Sequence, residues 1–183
     1  VEKQRRAIRV LRRLFDNLLD LSRFDAGEVR VRLREFRLRE VLAPLSGEHE
    51  LAARAKGLDW RTELDDVWVR SDPELLRRLV GNLLSNAVRY TRAGTVTLKA
   101  RDDEGRVVVE VEDTGIGIAP ADQKRVFEEF VQLDNPGRDR DQGVGLGLSI
   151  VKRICDLMAI PIELRSVVGA GTRISVRLPT VAA

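Results

Sequence analysis

Asp72-Pro73-Glu-Leu-Leu-Arg-Arg-Leu79-Val80-Gly-Asn82-Leu83-Leu84-Ser-Asn86-Ala87-Val88-Arg89-Tyr90 reads as an amphipathic helix with two amides in the wrong place. Asp72 is a good N-cap, and a proline in the first helical turn gives up an N–H that would have had no partner anyway. Asn82 and Asn86 are four residues apart, hence on one helical face, yet they sit among Leu79, Val80, Leu83, Leu84, Ala87 and Val88. Two amides at this spacing either satisfy each other's neighbourhood as half-buried polar groups or present oxygens to a hard cation such as Mg²⁺, which shares its shell with phosphate.

Working outward, the pattern predicts a helix from Leu38 to Lys56, with Leu38, Val41, Leu42, Leu45, Ala52 and Ala53 inward and Gly57 as its stop. Short strands are expected near 58–63 and 67–70. Beyond Tyr90, Thr95–Ala100 and Arg106–Glu112 alternate as a hairpin turning at Asp103, Glu104 and Gly105. A loop-rich stretch from Asp113 to Gly143 carries a short helix near Pro120–Phe127. A helix from about Leu146 to Met158 follows, and strands near 162–167 and 172–178 flank Gly169 and Gly171. Upstream, Ala7, Leu11, Leu14, Leu18 and Leu21, widened by Ile8 and Phe15, form the stripe of a long helix over residues 1–25. A seam with another chain is the expected sink for that stripe, and packing on its own domain is the alternative. Val29, Val31 and Leu33 predict an extended linker or first strand. The fold class is α+β: residues 28–183 form one domain behind a helical arm, residues 1–27.

Composition narrows the function. Thirty-two Lys and Arg against 29 Asp and Glu leave a net charge of +3, too balanced for a nucleic-acid tract, and a 43% hydrophobic content excludes a disordered chain. No apolar run reaches the ~20 residues of a membrane span. One Cys and one His exclude an internal disulfide and a zinc cluster, which fits a reducing compartment. The chain begins at Val1 without an initiator Met, so a longer parent protein is expected.

Three glycine clusters, Asp113-Thr-Gly115-Ile-Gly117, Gly143-Val-Gly145-Leu146-Gly147 and Gly169-Ala-Gly171-Thr172, together suggest a nucleotide pocket, although singly a Gly pair is more often a turn, the last cluster above all. Glycine lets backbone approach a ligand and turn amides toward phosphate, and the second cluster leads into a helix N-terminus. Neither the P-loop nor the dinucleotide-fold spacing is present.

In order and spacing, Asn82-Leu-Leu-Ser-Asn86-Ala-Val-Arg89-Tyr90-Thr91, Asp113-Thr-Gly-Ile-Gly117, Phe127-Glu-Glu-Phe130, Gly143-Val-Gly-Leu-Gly147 and Gly169-Ala-Gly-Thr172 resemble the N box, first glycine box, F box, second glycine box and glycine-threonine motif of sensor histidine kinases. The resemblance covers about residues 36–179 and implies the catalytic ATP-binding domain of the GHKL superfamily, a Bergerat-type two-layer α/β sandwich. Leu18-Leu-Asp-Leu-Ser-Arg-Phe-Asp-Ala-Gly27 is similar to the end of the second helix of the dimerisation and phosphotransfer domain. Phe130-Val-Gln-Leu-Asp-Asn-Pro136, with Arg138, Asp139 and Arg140, resembles the ATP lid of hybrid-type kinases.

The resemblance implies roles for individual residues. Asp113 accepts from the adenine amino group, Gly115 and Gly117 shape the pocket, and Thr172 bonds near the adenine. Asn86 ligates Mg²⁺, with Asn82 by the phosphates or in the metal shell. Arg89 faces phosphate and Tyr90 packs beside the nucleotide. Gly143, Gly145, Leu146 and Gly147 let the lid close on the triphosphate. The γ-phosphoryl goes to a histidine on a helix that would precede Val1, for relay to the Asp of a response-regulator receiver domain. The expected assembly is a homodimer through the N-terminal helix, in the cytoplasm, with any membrane anchor upstream. GHKL hydrolases carry Glu four residues before the metal-binding Asn, where this chain has Asn82; a nucleotide-binding scaffold is the other alternative.

His49 shares a helical face with Leu38, Leu42 and Leu45 and reads as a packed structural histidine, not an acceptor. Cys155 reads as a small buried hydrophobe, Trp60 and Trp68 as packed strand residues, and Phe127 and Phe130 as either core or a mobile element.

Overall fold

The computed structural model describes residues 8, 15, 17–131 and 145–181, and the fold within them is two layers. Strand β1 (Arg34–Arg37) leads into helix α1 (Leu38–Ala55); β2 (Asp59–Leu64) and β3 (Trp68–Ser71) precede helix α2 (Pro73–Tyr90). The hairpin β4 (Thr95–Asp103) and β5 (Arg106–Asp113), helix α3 (Gly147–Met158) and the hairpin β6 (Ile162–Val167) and β7 (Gly171–Pro179) complete it.

The main sheet has the order β2-β4-β5-β7-β6, with β2 parallel to β4 and the remaining pairs antiparallel. The two-residue period puts Val96, Leu98 and Ala100 of β4, Val107, Val109 and Val111 of β5, and Ile174, Val176 and Leu178 of β7 in the core, packed with the helices. The alternate residues carry an ion-pair ladder. Glu112 accepts from Arg173 at 2.8 Å and lies 3.5 Å from Lys99, and Arg173 stands 3.6 Å from Glu110. Opposite charges across neighbouring strands let this face meet water without an apolar patch. β1 and β3 make a separate antiparallel ribbon.

Helix α2 forms as its sequence requires. Asp72 Oδ1 accepts from Glu74 N at 3.0 Å and Leu75 N at 3.1 Å, filling two of the orphan donors of the first turn. Its other oxygen, Oδ2, accepts from Arg32 N at 2.8 Å and so ties the linker to the same helix. Leu75, Leu76, Leu79, Val80, Leu83, Leu84 and Ala87 are buried.

Residues 28–33 follow the linker alternative: they are irregular, with Val29 and Val31 packed on the core, and the first strand begins at Arg34, where it pairs with β3 over Trp68–Ser71. Other expectations are corrected. Ala52 is exposed, off the stripe that buries Leu42, Leu45 and Ala53. Trp68 is 49% exposed: the ribbon's alternation turns Val69 inward, and Arg37 stacks over the indole at 5.7 Å. The expected short helix is two 3₁₀ turns, Pro120–Asp122 and Arg125–Phe127, too short to carry an apolar stripe. Phe130 adopts φ +61°, which leaves its ring exposed, while Phe127 is half-buried.

The arm is helical through 17–25 and docks on the domain. Leu21 is 5% exposed in the core, and buried Asp20 pairs with Arg78 of α2. The rest of the long helix expected over residues 1–25, apart from residues 8 and 15, lies outside the described residues.

Candidate functional site

The site grows from the C-terminal half of α2, where both amides of the sequence motif lie half-buried. Asn82 Nδ2 donates to Arg78 O at 3.0 Å, an i−4 bond that turns its carbonyl oxygen outward from the helix. Among the described residues no hydrogen bond engages the Asn86 amide. Both meet the first residue of α3: a Cβ on Gly147 would lie 3.4 Å from Asn86 Oδ1 and Nδ2 and 3.6 Å from Asn82 Oδ1. The start of one helix therefore faces the two amides of another, and the missing side chain leaves the space between them open. One residue earlier, Leu146 is 1% exposed with its side chain in the core, and its carbonyl accepts from Ile150 N at 3.1 Å and Ser149 Oγ at 2.9 Å.

At the end of β5, Asp113 Oδ1 accepts from Gly115 N at 2.8 Å, an Asx turn that fixes the carboxylate. Burial pushes this carboxyl above the ordinary aspartate range, against the opposing pull of backbone donors from Gly115 and Thr172. A desolvated acceptor in this condition gains from any donor that replaces lost water. Across the sheet from Asp113 in register is Thr172. Its hydroxyl is 2.9 Å from Ser166 Oγ, and Ser166 Oγ donates to Gly171 O at 2.8 Å. Ser166 has one proton and the carbonyl takes it, so Thr172 is the donor in the hydroxyl pair. Thr172 is left with lone pairs, as an acceptor.

The glycines sit where stretches of backbone meet. Gly115, Gly117 and Gly171 lie against the protein's own backbone: added Cβ atoms would stand 2.5 Å from Tyr90 O, 2.0 Å from Val167 O and 1.9 Å from Asp113 O. They are the points at which the end of α2, the β6–β7 turn and the loop after β5 touch; Gly117 and Gly171 also have φ +69° and +114°, closed to most side chains. Gly169 N donates to Ile116 O at 2.8 Å and locks the same junction. Gly145, at φ +74°, abuts Val131 O, which a Cβ would approach to 2.6 Å. Gly143, Arg138, Asp139 and Arg140 lie outside the described residues.

Arg89 stacks on the ring of Tyr90, with Cζ 5.4 Å from its centroid, and Tyr90 is 37% exposed. Beneath them is a residue the sequence reading missed. Lys56 Nζ donates to Val88 O, Arg89 O and Thr91 O at 2.7, 3.1 and 3.2 Å, capping the carbonyls that end α2. Burial, and then the charge of Arg89, lower its pKa. A contact thirty-odd positions distant leaves no local trace in sequence.

Two amides, a desolvated carboxylate and an acceptor hydroxyl, all on half-buried residues, are groups suited to a polar ligand. The chain belongs to the Histidine kinase-, DNA gyrase B-, and HSP90-like ATPase family, which it matches over residues 71–182. Among curated proteins it is 36% identical over 172 residues to the circadian input-output histidine kinase CikA of Synechococcus elongatus, covering 91% of this chain and 23% of CikA. It is 32% identical over 173 residues to the sensor histidine kinase RcsC of Escherichia coli, covering 93% and 18%. The chain thus spans about a fifth of these relatives. Its fold matches full-length ShkA in complex with AMPPNP, with TM-score 0.83, 30% identity and coverage of 94% of this chain and 37% of that one. The catalytic domain of the histidine kinase ThkA also matches, with TM-score 0.69, 25% identity and coverage of 81% and 96%. The chain is a histidine-kinase-type ATPase domain, homologous to two-component sensor kinases, and no helix among its described residues is long and apolar enough to cross a membrane.

Proposed function

We propose that this domain binds ATP with Mg²⁺ and is the phosphoryl-donor half of a two-component histidine kinase, with residues 1–27 the end of its dimerisation helix and 28–183 the catalytic domain. The observation that carries the reading is the open space at Gly147, which faces Asn82 and Asn86; the desolvated Asp113 carboxylate at the end of β5 supports it. Asp113 accepts from the adenine amino group, which restores the hydrogen bonding that burial removed. Gly115 and Gly117 set the loop that holds it, and Thr172 supplies a second acceptor nearby, directly or through water. Tyr90 packs beside the nucleotide. The amide oxygens of Asn86 and, beside it, Asn82 suit a hard cation, and bound Mg²⁺ would contribute neutralisation of phosphate charge. Arg89, held over Tyr90 and backed by Lys56, adds a fixed cation on the phosphate side. Gly143, Gly145, Leu146 and Gly147 supply backbone at the phosphate end.

The chain's own contribution to catalysis is orientation and electrostatics, the main requirements of phosphoryl transfer. Asn82, where GHKL hydrolases place Glu, gives no base to activate water, so the γ-phosphoryl passes to a histidine of a preceding helix and on to a receiver-domain Asp. The parent protein works as a cytoplasmic homodimer.

Titration with ADP and ATP in Mg²⁺ tests the assignment. Asp113→Asn should weaken adenine nucleotides by about 10- to 100-fold, the worth of a hydrogen bond to a charged group, while the melting temperature holds. Unchanged affinity in a folded variant refutes it.

A further inference from the structure

Arg153, on α3, spans two carboxylates on separate elements. Its Nη1 lies 2.7 Å from Asp25 Oδ1 and its Nη2 donates to Glu129 Oε1 at 3.0 Å. Asp25 is the last helical residue of the docked arm; Glu129 belongs to the segment 125–131 that follows the first 3₁₀ turn. The residue after Glu129 is Phe130, whose φ of +61° is a costly conformation for a bulky side chain and persists only where neighbouring contacts hold it. Two such contacts flank it: the Glu129 bridge before it, and Val131 O pressed against Gly145 after it.

A guanidinium is a rigid planar fork, so engaging one nitrogen orients the other. The arm has further anchors in Leu21 and the Asp20–Arg78 pair, which keep it docked when Asp25 alone is changed. We infer that Arg153 is a positioning residue that couples the docked arm to residues 125–131, so that the state of Asp25 sets the order of a segment it does not touch. The inference goes beyond the kinase reading and does not depend on nucleotide being bound.

Amide hydrogen exchange of this chain, read by mass spectrometry without nucleotide, tests the coupling. Asp25→Asn should speed exchange across residues 125–131 by about two- to fivefold, the range an exposed ion pair supports. Arg153→Lys keeps the charge on a single ammonium that cannot hold both carboxylates in one geometry. In that background, Asp25→Asn should leave 125–131 unchanged. Two results overturn the inference. One is Asp25→Asn having no effect on 125–131 in the native background, which makes the bridges two independent surface pairs. The other is the same effect persisting in the Arg153→Lys background, which assigns it to general undocking of the arm.

Discussion

Gly147→Ala should stabilise the fold and damage the site, and the two effects have separate causes. Gly147 is the first residue of α3 and its φ lies outside the left-handed region, so alanine fits the backbone. An added Cβ meets nothing closer than 3.4 Å, an ordinary van der Waals distance. Replacing glycine where the backbone is already helical gains up to about 0.5–1 kcal/mol by restricting the unfolded chain. For a domain of this size that is a rise of roughly 1–4 °C in melting temperature. The same methyl sits in front of Asn86 Oδ1 and Asn82 Oδ1, within the space where the proposed Mg²⁺ and phosphate oxygens must meet the amides. Losing one polar contact to a charged group costs about 1.5–3 kcal/mol, so Mg²⁺-dependent ATP affinity should fall by one to two orders of magnitude. Calorimetric titration beside a thermal melt measures both. A variant that melts higher and binds Mg²⁺-ATP as tightly as the native chain refutes the placement of the phosphate site between α2 and the start of α3.

Further expectations follow from the titrating groups. Burial raises the Asp113 pKa, so the free domain holds that proton to a higher pH than an ordinary aspartate does; adenine needs the ionised form. Nucleotide affinity should therefore rise with pH through that raised pKa and then level, and the step should vanish in Asp113→Asn; identical acid-side profiles for both proteins contradict the acceptor role. Cys155 is 1% exposed and burial pushes its thiol up to about 12, so thiol reagents at neutral pH should label it only as fast as the domain opens. Rapid labelling of the folded chain contradicts its burial. His49 is half-buried with Nδ1 donating to Leu45 O at 3.0 Å, and labelled ATP should leave it unmodified. Phosphohistidine on the isolated chain would overturn that placement.

The parts of the fold that sequence foretold are those whose causes are local. Asp72, Pro73 and the leucine stripe specify α2 within one stretch of chain, and Asp103–Gly105 turn the β4–β5 hairpin with Glu104 and Gly105 at φ +50° and +85°. What escaped depends on partners far along the chain. Nothing near Gly171 discloses that Asp113 O will lie where its Cβ would be, so the close backbone approach at the β6–β7 turn leaves no local trace in sequence. Lys56 and Arg153 are likewise ordinary helix-surface cations until the fold brings carbonyls or carboxylates to them. The candidate residues Asn82 and Asn86 stood out because they broke a local rule, as amides amid leucines, whereas the resemblance singled out Asp113. Consistent elements reveal fold, and local inconsistencies reveal sites.

The arm shows the same logic at a larger scale. Its apolar residues were read as one stripe seeking one partner, either a second chain or the domain. The structure divides them: Leu21 is 5% exposed and Phe24 packs on the core, while Ile8, Phe15, Leu18 and Leu19 are 65%, 61%, 40% and 43% exposed. Leu18 and Leu21 are one turn apart, yet Leu18 is 40% exposed while Leu21 packs in the core, beside the Asp20–Arg78 pair. Breaking that pair leaves a nearly buried carboxylate uncompensated, which is far costlier than losing an exposed bridge. The outward face still holds side chains worth about 1.5–3 kcal/mol each on burial. Docking therefore does not consume the surface that a second arm needs. Dimerisation through Leu18 and its outward neighbours is compatible with an arm held against its own domain by Asp20, Leu21 and Asp25.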